Sequence, residues 1–151
     1  MQQIETIRQN IHALLREQQL GVLSTIGENA PYASLVATAV SDDDRYLYFV
    51  TPRATRKFAN LSVNPQVALL VNNSMNRPED FHRAMAVTAT GTVVSTPPAD
   101  RDKILSRYVA KHPYLEDFAR SPNCALVVVR VERYILVQRF QNVTEYRVDH
   151  D

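Results

Sequence analysis

The chain has 151 residues, of which 45% are hydrophobic, and this composition predicts a single globular domain spanning residues 1–151. Its 17 basic and 16 acidic residues leave a formal net charge of +1, which disfavours nucleic-acid binding, because that function usually needs a strongly basic face. We find no apolar run of membrane-spanning length and no secretory signal, so we expect a cytoplasmic protein that binds no membrane.

Two scarce residue types exclude several kinds of site. Cys124 is the single cysteine, so neither an internal disulfide nor a thiolate metal cluster is expected. The three glycines are too few for a glycine-rich dinucleotide loop or a phosphate-binding P-loop.

The first quarter of the chain predicts a helix followed by a β-hairpin. Apolar residues at spacings of three and four favour a helix over 4–19, and Gly21 is suited to stop it. Strands are predicted at 22–26 and 32–40, joined by a turn at 27–30. The acidic residues 42–44 lack the ligand spacing of a calcium loop and indicate a solvated turn before a third strand at 46–51.

The predicted strand at 32–40 carries no charged residue. Both of its faces are therefore expected to be covered. Its many small side chains are compatible with a flat ligand lying against the backbone. They fit equally well the interior of a barrel, where small and large residues alternate.

The segment 51–73 has an unusual charge pattern. A short helix is predicted at 55–63, with Thr55 as its N-cap. Arg53, Arg56 and Lys57 lie at the N-terminal end of this helix, where the helix dipole disfavours cations. A bound phosphate would explain the cluster, because helix N–H groups and cations can converge on one anion. A solvated basic turn is the alternative.

The second half of the chain adds strands and helices to the same sheet. A polar loop at 74–83 precedes a long strand at 85–95, in which Gly91 indicates a bulge or a close backbone approach. Helices are predicted from Pro98 to His112 and over 114–120, and strands at 124–131, 134–140 and 144–148. We therefore predict a mainly β fold, an antiparallel barrel of six or seven strands with peripheral helices.

The run from Pro31 to Val71 resembles the pyridoxamine 5′-phosphate oxidase-like family of FMN-binding split barrels. The specific features are TRK at 55–57, a short helix, and NPQVALLV at 64–71. The resemblance extends from the first helix to the strand near Phe140 and implies a split β-barrel. It also implies a homodimer with FMN at the subunit interface and a small-molecule substrate.

The same resemblance implies a set of cofactor-binding residues. Arg56 and Lys57 would hold the FMN phosphate, with the hydroxyl of Thr55 beside them. The second strand would lie against the isoalloxazine ring, and the third strand would end beside it; these residues are Ser34, Leu35, Val36, Ala37, Val50 and Thr51. Further candidates near the ring are Tyr32, Phe81, His82, and Arg139 or Phe140 of the partner subunit.

The chain also departs from the authentic oxidases. Those enzymes carry basic residues for pyridoxal phosphate in a C-terminal segment, whereas this chain ends in EYRVDHD. Ala86 stands where those enzymes place a glutamine. These departures argue against oxidation of pyridoxamine phosphate.

Three functions are compatible with this barrel. The first is an FMN-dependent oxidoreductase acting on a small molecule, which needs no hydrolytic triad, since the chemistry belongs to the cofactor. The second is a haem-binding or haem-utilising protein, with His12, His82, His112 and His150 as possible axial ligands. The third is a non-catalytic flavin or deazaflavin binder. No metal site is predicted.

Overall fold

A computed structural model, which describes residues 2–150, shows a mainly β fold with helices at its margins. The helices are α1 (Gln2–Glu17), α2 (Arg56–Val63), α3 (Asp80–Arg83), α4 (Pro98–Lys111) and α5 (Glu116–Arg120), and a 3-10 turn (Pro113–Leu115) precedes α5. The strands are β1 (Leu20–Ile26), β2 (Pro31–Val40), β3 (Tyr46–Pro52), β4 (Gln66–Asn72), β5 (Met85–Val94), β6 (Cys124–Gln138) and β7 (Asn142–Arg147).

The strands form one antiparallel sheet in the order β3-β2-β1-β4-β5-β6-β7. Pairing between β3 and β6 closes six of the strands into a barrel, and β7 extends beyond it. The predicted fold class is therefore confirmed. The two strands predicted at 124–131 and 134–140 are a single strand, β6, because β5 and β3 together pair with it over most of its length.

Gly91 lies at a register shift between β5 and β6, as the sequence predicts. A Cβ atom added at Gly91 would lie 2.2 Å from the backbone oxygen of Arg130. The close approach of the two strands therefore leaves room only for a hydrogen at this position.

The hydrophobic side chains form two clusters, one inside the barrel and one outside it. The interior is closed at one end by apolar residues of α1, namely Ile11, Leu14 and Leu15. On the outside, α4 places Tyr108 against the outward-facing side chains of β2, β3 and β6, among them Ala39, Tyr48 and Val128. The face of β1, β2 and β4 opposite the barrel interior carries no such helix among residues 2–150.

The predicted stop of the first helix at Gly21 is wrong, since α1 ends at Glu17 and Gly21 lies within β1. Gly21 instead lies where β1 packs closely against β4. An added Cβ atom would lie 3.1 Å from Leu69 Cδ1, Leu70 O and Val71 Cγ2.

The acidic turn at 42–44 is also not simply solvated, because Asp44 is buried at 6% exposure. Nδ1 of His12 donates to its carboxylate at 2.7 Å, while Nε2 of His12 accepts from Arg16 Nε. Burial raises the pKa of Asp44, and the hydrogen bond from His12 opposes that rise. Asp42 is paired with Arg16 and Arg107. The side chains of this turn therefore link α1 to α4 through ion pairs and a hydrogen bond.

Lys111 of α4 caps the C-terminal end of α1. Its Nζ donates to Leu15 O at 2.9 Å and to Gln18 O at 2.8 Å. Burial, together with the nearby charge of Arg16, lowers the pKa of Lys111 to about 8. The folded protein therefore binds fewer protons at Lys111 than the unfolded chain does between about pH 8 and the ordinary value of 10.5.

We expect the free energy of unfolding of the wild type to rise relative to that of Lys111→Met as the pH increases through this window. Urea denaturation of both proteins at several pH values measures the difference. Lys103→Met, on the exposed face of the same helix, serves as the control. Parallel pH dependences for the wild type and Lys111→Met would contradict the assignment.

No helix within residues 2–150 is both long enough and apolar enough to cross a membrane.

Candidate functional site

The barrel has a split between β2 and β3. These strands pair only at Thr38–Val40 with Leu47–Phe49. If that register continued, Ala37 would face Val50 and Val36 would face Thr51. Instead, the preceding part of β2 pairs with β1 alone among residues 2–150, and the end of β3 pairs with β6. The predicted residues of β2 and β3 therefore flank one opening.

The free edge of β2 presents backbone hydrogen-bonding groups to this split. Thr38 N donates to Gln19 O at 3.0 Å, which shows that even-numbered residues of β2 direct their backbone groups towards β1. The N–H and C=O groups of the odd-numbered residues Ala33, Leu35 and Ala37 therefore point towards the split. Such an edge can pair with the polar edge of a planar ligand.

Tyr108 closes the end of the split nearest to the β2–β3 pairing. Its hydroxyl donates to Ala37 O at 3.0 Å, and its side chain is fully buried. Burial raises the pKa of Tyr108 to about 12, and a backbone hydrogen bond from Val50 opposes that rise. Tyr108 thus takes the place of the missing strand pairing, which leaves Ala33 and Leu35 as the open part of the edge.

Strand alternation divides the four predicted residues of β2 between two faces. Val36 is buried in the barrel core, whereas Leu35 projects outwards and is 62% exposed. Ala37 packs against the cluster beneath α4. The Oγ of Ser34 is buried and has no hydrogen-bond partner within residues 2–150. A buried hydroxyl without a partner is uncommon and is one of the marks of a ligand site.

Threonine hydroxyls join the end of β3 to α2. Thr55 is the N-cap of α2, as the sequence predicts, and its Oγ1 accepts from Phe58 N at 3.2 Å. The same hydroxyl donates to Pro52 O at 3.0 Å and lies 3.1 Å from Oγ1 of Thr51, which is buried. Thr51 and Thr55 therefore fix the helix N-terminus beside the split.

Two of the three cations at the start of α2, both arginines, lie over aromatic rings. The guanidinium carbon of Arg56 lies 5.6 Å from the ring centroid of Tyr32, and that of Arg53 lies 5.9 Å from the ring centroid of Phe58. Within residues 2–150 neither arginine, nor Lys57, forms an ion pair with a carboxylate. The first N–H groups of α2 point out beyond its N-terminus in the same region. The combination is suited to bind an anion.

The sequence alone did not reveal the role of Tyr108 or the stacking of Arg56 on Tyr32. No local sequence pattern predicts a contact between residues 37 and 108, because they are 71 positions apart in the chain. Tyr32 was predicted to lie near the ring of a ligand, and the structure places it under the guanidinium of Arg56.

The other predicted candidates lie elsewhere. Phe81 and Phe140 contact each other edge to face, with ring centroids 5.3 Å apart, and both are exposed. His82 of α3 and Arg139 of the β6–β7 turn are also exposed. Phe81 and Phe140 therefore form an aromatic patch on α3 and the β6–β7 turn, apart from the hydroxyl cluster at the start of α2.

Three of the four histidines are bound to protein groups. His12 pairs with Asp44, His112 contacts Thr38 O at 2.7 Å, and His150 contacts Val131 O at 2.6 Å. Within residues 2–150 no cluster of three or more His, Cys, Asp or Glu side chains is arranged to hold a metal ion.

The outer face of β2, β1 and β4 is apolar and exposed. Leu35, Val22 and Leu70 lie in one row across these three strands. Leu20, Leu35 and Leu70 are 51%, 62% and 37% exposed. An exposed apolar face on a sheet is typical of a protein–protein contact surface.

Comparison with known proteins identifies the family. The model of the family described as pyridoxamine 5′-phosphate oxidase matches residues 7–138. No curated protein sequence matches the chain. Among solved structures, a haem-binding protein from Mycobacterium smegmatis is similar with a TM-score of 0.80 and 14% identity. The match covers 89% of this chain and 55% of that one, so this chain spans little more than half of that protein.

Two other solved structures match over nearly their whole lengths. General Stress Protein 26 from Bacillus anthracis has a TM-score of 0.72 and 18% identity, with 94% of this chain and 98% of that chain covered. A FAD-binding protein from Mesorhizobium loti has a TM-score of 0.67 and 15% identity, with 85% and 91% covered. At these identities the three structures establish the shared fold.

Proposed function

The chain belongs to the pyridoxamine 5′-phosphate oxidase family, and from this premise we propose that it binds FMN and acts as an oxidoreductase on a small molecule. The observation that carries the proposal is the split beside α2. An open strand edge adjoins a cluster of cations that have no carboxylate partner among residues 2–150. Flavin-binding and haem-binding proteins both occur among the structural relatives, and the geometry of this site favours a flavin.

Each part of the site has a distinct task in this proposal. Arg56 and Lys57, with the N-terminal N–H groups of α2, hold the phosphate. Thr51 and Thr55 hold the helix start in position through the hydroxyl cluster. The backbone groups of Ala33 and Leu35 pair with the polar edge of the isoalloxazine ring. Bound flavin would supply electron transfer, and the chain supplies binding, orientation and exclusion of water.

Ser34 is a further point of attachment. Its Oγ lacks a partner among residues 2–150, and its neighbours on β2 border the split. A buried hydroxyl that gains a hydrogen bond from a ligand recovers the cost of its desolvation. We expect Ser34 to contact the ligand or a water molecule that bridges to it.

A second copy of the chain would complete the site. The apolar row of Leu35, Val22 and Leu70 lies on the outer face of the strands that border the split. A homodimer formed through this face would bury the row and would place the cofactor at the subunit interface. The patch around Phe81 and Phe140 would then be available to contact the partner's cofactor.

Haem binding is the alternative that the fold permits. The described structure gives it less support, since His12, His112 and His150 already bind protein groups. A passive flavin or deazaflavin carrier would use the same split and the same cations. These alternatives are separated by the spectrum of the loaded protein and by the reactivity of its reduced form.

The test begins with the absorbance spectrum and the mass of any cofactor that copurifies with the protein. We expect the visible absorbance bands of an oxidised flavin and the mass of FMN. Equilibrium titration with FMN, FAD and haem follows. A colourless protein that takes up no FMN would contradict the proposal, and a Soret band would favour haem. Reoxidation of the reduced, loaded protein by an electron acceptor separates an oxidoreductase from a carrier.

Leu35→Glu is expected to convert the dimer into a monomer. It would bury a carboxylate in the proposed interface, where an unpaired charge is strongly unfavourable. Because Leu35 is 62% exposed in the single chain, the stability of the monomer should change little. Analytical ultracentrifugation measures the assembly state.

Val143→Glu is the matched control, because Val143 is equally exposed, at 62%, on the peripheral strand β7. We expect this variant to remain dimeric. If Leu35→Glu stays dimeric too, the proposed interface is wrong.

A further inference from the structure

A second cleft lies on the other side of β3 from the split, between α4 and the outer face of β3, β5 and β6. Its volume is about 580 Å³, within the range of roughly 300–1,000 Å³ typical of small-molecule sites. The residues predicted from the family resemblance to bind FMN do not line it.

The floor of the cleft is built from two rows of side chains across the sheet. Tyr48, Val128 and Val94 occupy paired positions on β3, β6 and β5. The next row runs through Tyr46 and Arg130. Ile104 of α4 covers one side. The floor is therefore apolar and partly aromatic, with a cation in its second row.

The charges around the cleft are predominantly positive. Its lining holds three cations, Lys103, Arg107 and Arg130, and one carboxylate, Asp100. Arg107 already forms a bidentate pair with Asp42, with distances of 2.7 and 2.9 Å. Within residues 2–150, Lys103 and Arg130 form no ion pair with a carboxylate. Lys103 and Arg130 therefore border the apolar floor without a carboxylate partner among the described residues.

From this arrangement we propose that the cleft binds a small organic acid, with its apolar or aromatic body on Tyr48, Val94 and Val128 and its carboxylate between Lys103 and Arg130. An apolar floor with a few placed polar groups is the usual form of a small-molecule site. A carboxylate at this place would give both cations a partner and form charge-assisted hydrogen bonds with them. Asp100, on the first turn of α4, would repel the carboxylate of the ligand. This repulsion would direct the carboxylate towards the side of the cleft away from Asp100.

This site is independent of the proposed flavin site. Tyr48, on the outer face of β3, lines the cleft and packs against α4, whereas Val50 and Thr51 do not line it. Occupancy of one site therefore needs no residue of the other. If the protein proves to bind no flavin, the cleft proposal is unaffected.

Benzoate is the probe that combines both features of the proposed ligand, and two simpler compounds separate them. Benzyl alcohol has the ring without the charge, and acetate has the charge without the ring. In nitrogen-15 NMR titrations of the full chain, we expect benzoate to shift the amide resonances of Tyr46, Val94 and Arg130 in a saturable manner. Benzyl alcohol and acetate should each bind at least about tenfold more weakly, since each lacks one of the two contributions.

Charge variants then test the two cations. Lys103→Gln and Arg130→Gln should each weaken benzoate binding several-fold, and the double variant should weaken it by about tenfold or more. Arg101→Gln, which removes an exposed cation of the same helix outside the cleft, should bind benzoate as the wild type does. All three positions are exposed, so the variants should fold, which their NMR spectra report directly.

Three results would overturn the proposal. One is equal affinity for benzoate and benzyl alcohol. Another is unchanged benzoate affinity in the double variant. The third is a set of shifts centred on Arg56 and Lys57, which would show that benzoate occupies the anion site of α2 instead.

Discussion

Replacing Arg56 and Lys57 together by alanine is expected to weaken FMN binding by about 10²–10⁴-fold. Each lost hydrogen bond between a cation and the phosphate removes roughly 1.5–3 kcal/mol. The two side chains have no carboxylate partners within residues 2–150, so their removal breaks no ion pair of the fold. Equilibrium titration followed by flavin fluorescence measures the affinity, and thermal unfolding of the flavin-free protein measures stability.

A second double variant controls for the general loss of positive charge. Arg101→Ala with Arg120→Ala removes two exposed cations from α4 and α5, outside the start of α2. Its flavin affinity should remain within about twofold of the wild type, because neither side chain belongs to the start of α2 and the charges of exposed side chains are screened by solvent and salt. If both double variants bind FMN equally well, or if the Arg56/Lys57 variant binds as the wild type does, the phosphate is held elsewhere.

Gly91→Ala is expected to lower the free energy of unfolding by about 3 kcal/mol or more, which corresponds to roughly 6–12 °C in Tm. The added Cβ would lie 2.2 Å from Arg130 O, and the obstacle is backbone held by the pairing of β5 with β6. The clash can be relieved only by separating two strands of the barrel. Denaturant unfolding, with Tm from circular dichroism, measures the effect.

Gly27→Ala is the corresponding control, since its added Cβ would come no nearer than 3.1 Å to Ala30 O, in an exposed turn. We expect a loss well below that of Gly91→Ala. A Gly91→Ala protein within about 0.5 kcal/mol of the wild type would show that the strands separate easily at this point, contrary to the close approach described above.

The N-cap of α2 and the cations beside it were predictable because these residues are neighbours in the chain. Thr55 and the cations after it lie within one turn of a helix, and capping and dipole effects act over that range. The bulge at Gly91 was predictable for a similar reason, since a glycine within an alternating strand already indicates a close approach.

The ends of elements were harder to predict. Gly21 looked like a helix stop, although it serves the packing of β1 against β4. The acidic turn looked solvated, although His12 from α1 binds Asp44 and Tyr134 donates to its backbone oxygen at 2.6 Å. In both places the deciding partner lies at least 30 positions away in the chain. Local preferences therefore do not determine the outcome.

By itself, the sequence determined the antiparallel barrel, the helix cap at Thr55 and the placement of Arg56 and Lys57, because alternation and capping are local properties. Only the tertiary structure decided where β2 leaves β3, that Tyr108 occupies the end of that split, and that Lys103 and Arg130 face one cleft. These features depend on the register of strands and on side chains brought together from distant parts of the chain. The energy that selects one register comes from the packing of the whole barrel.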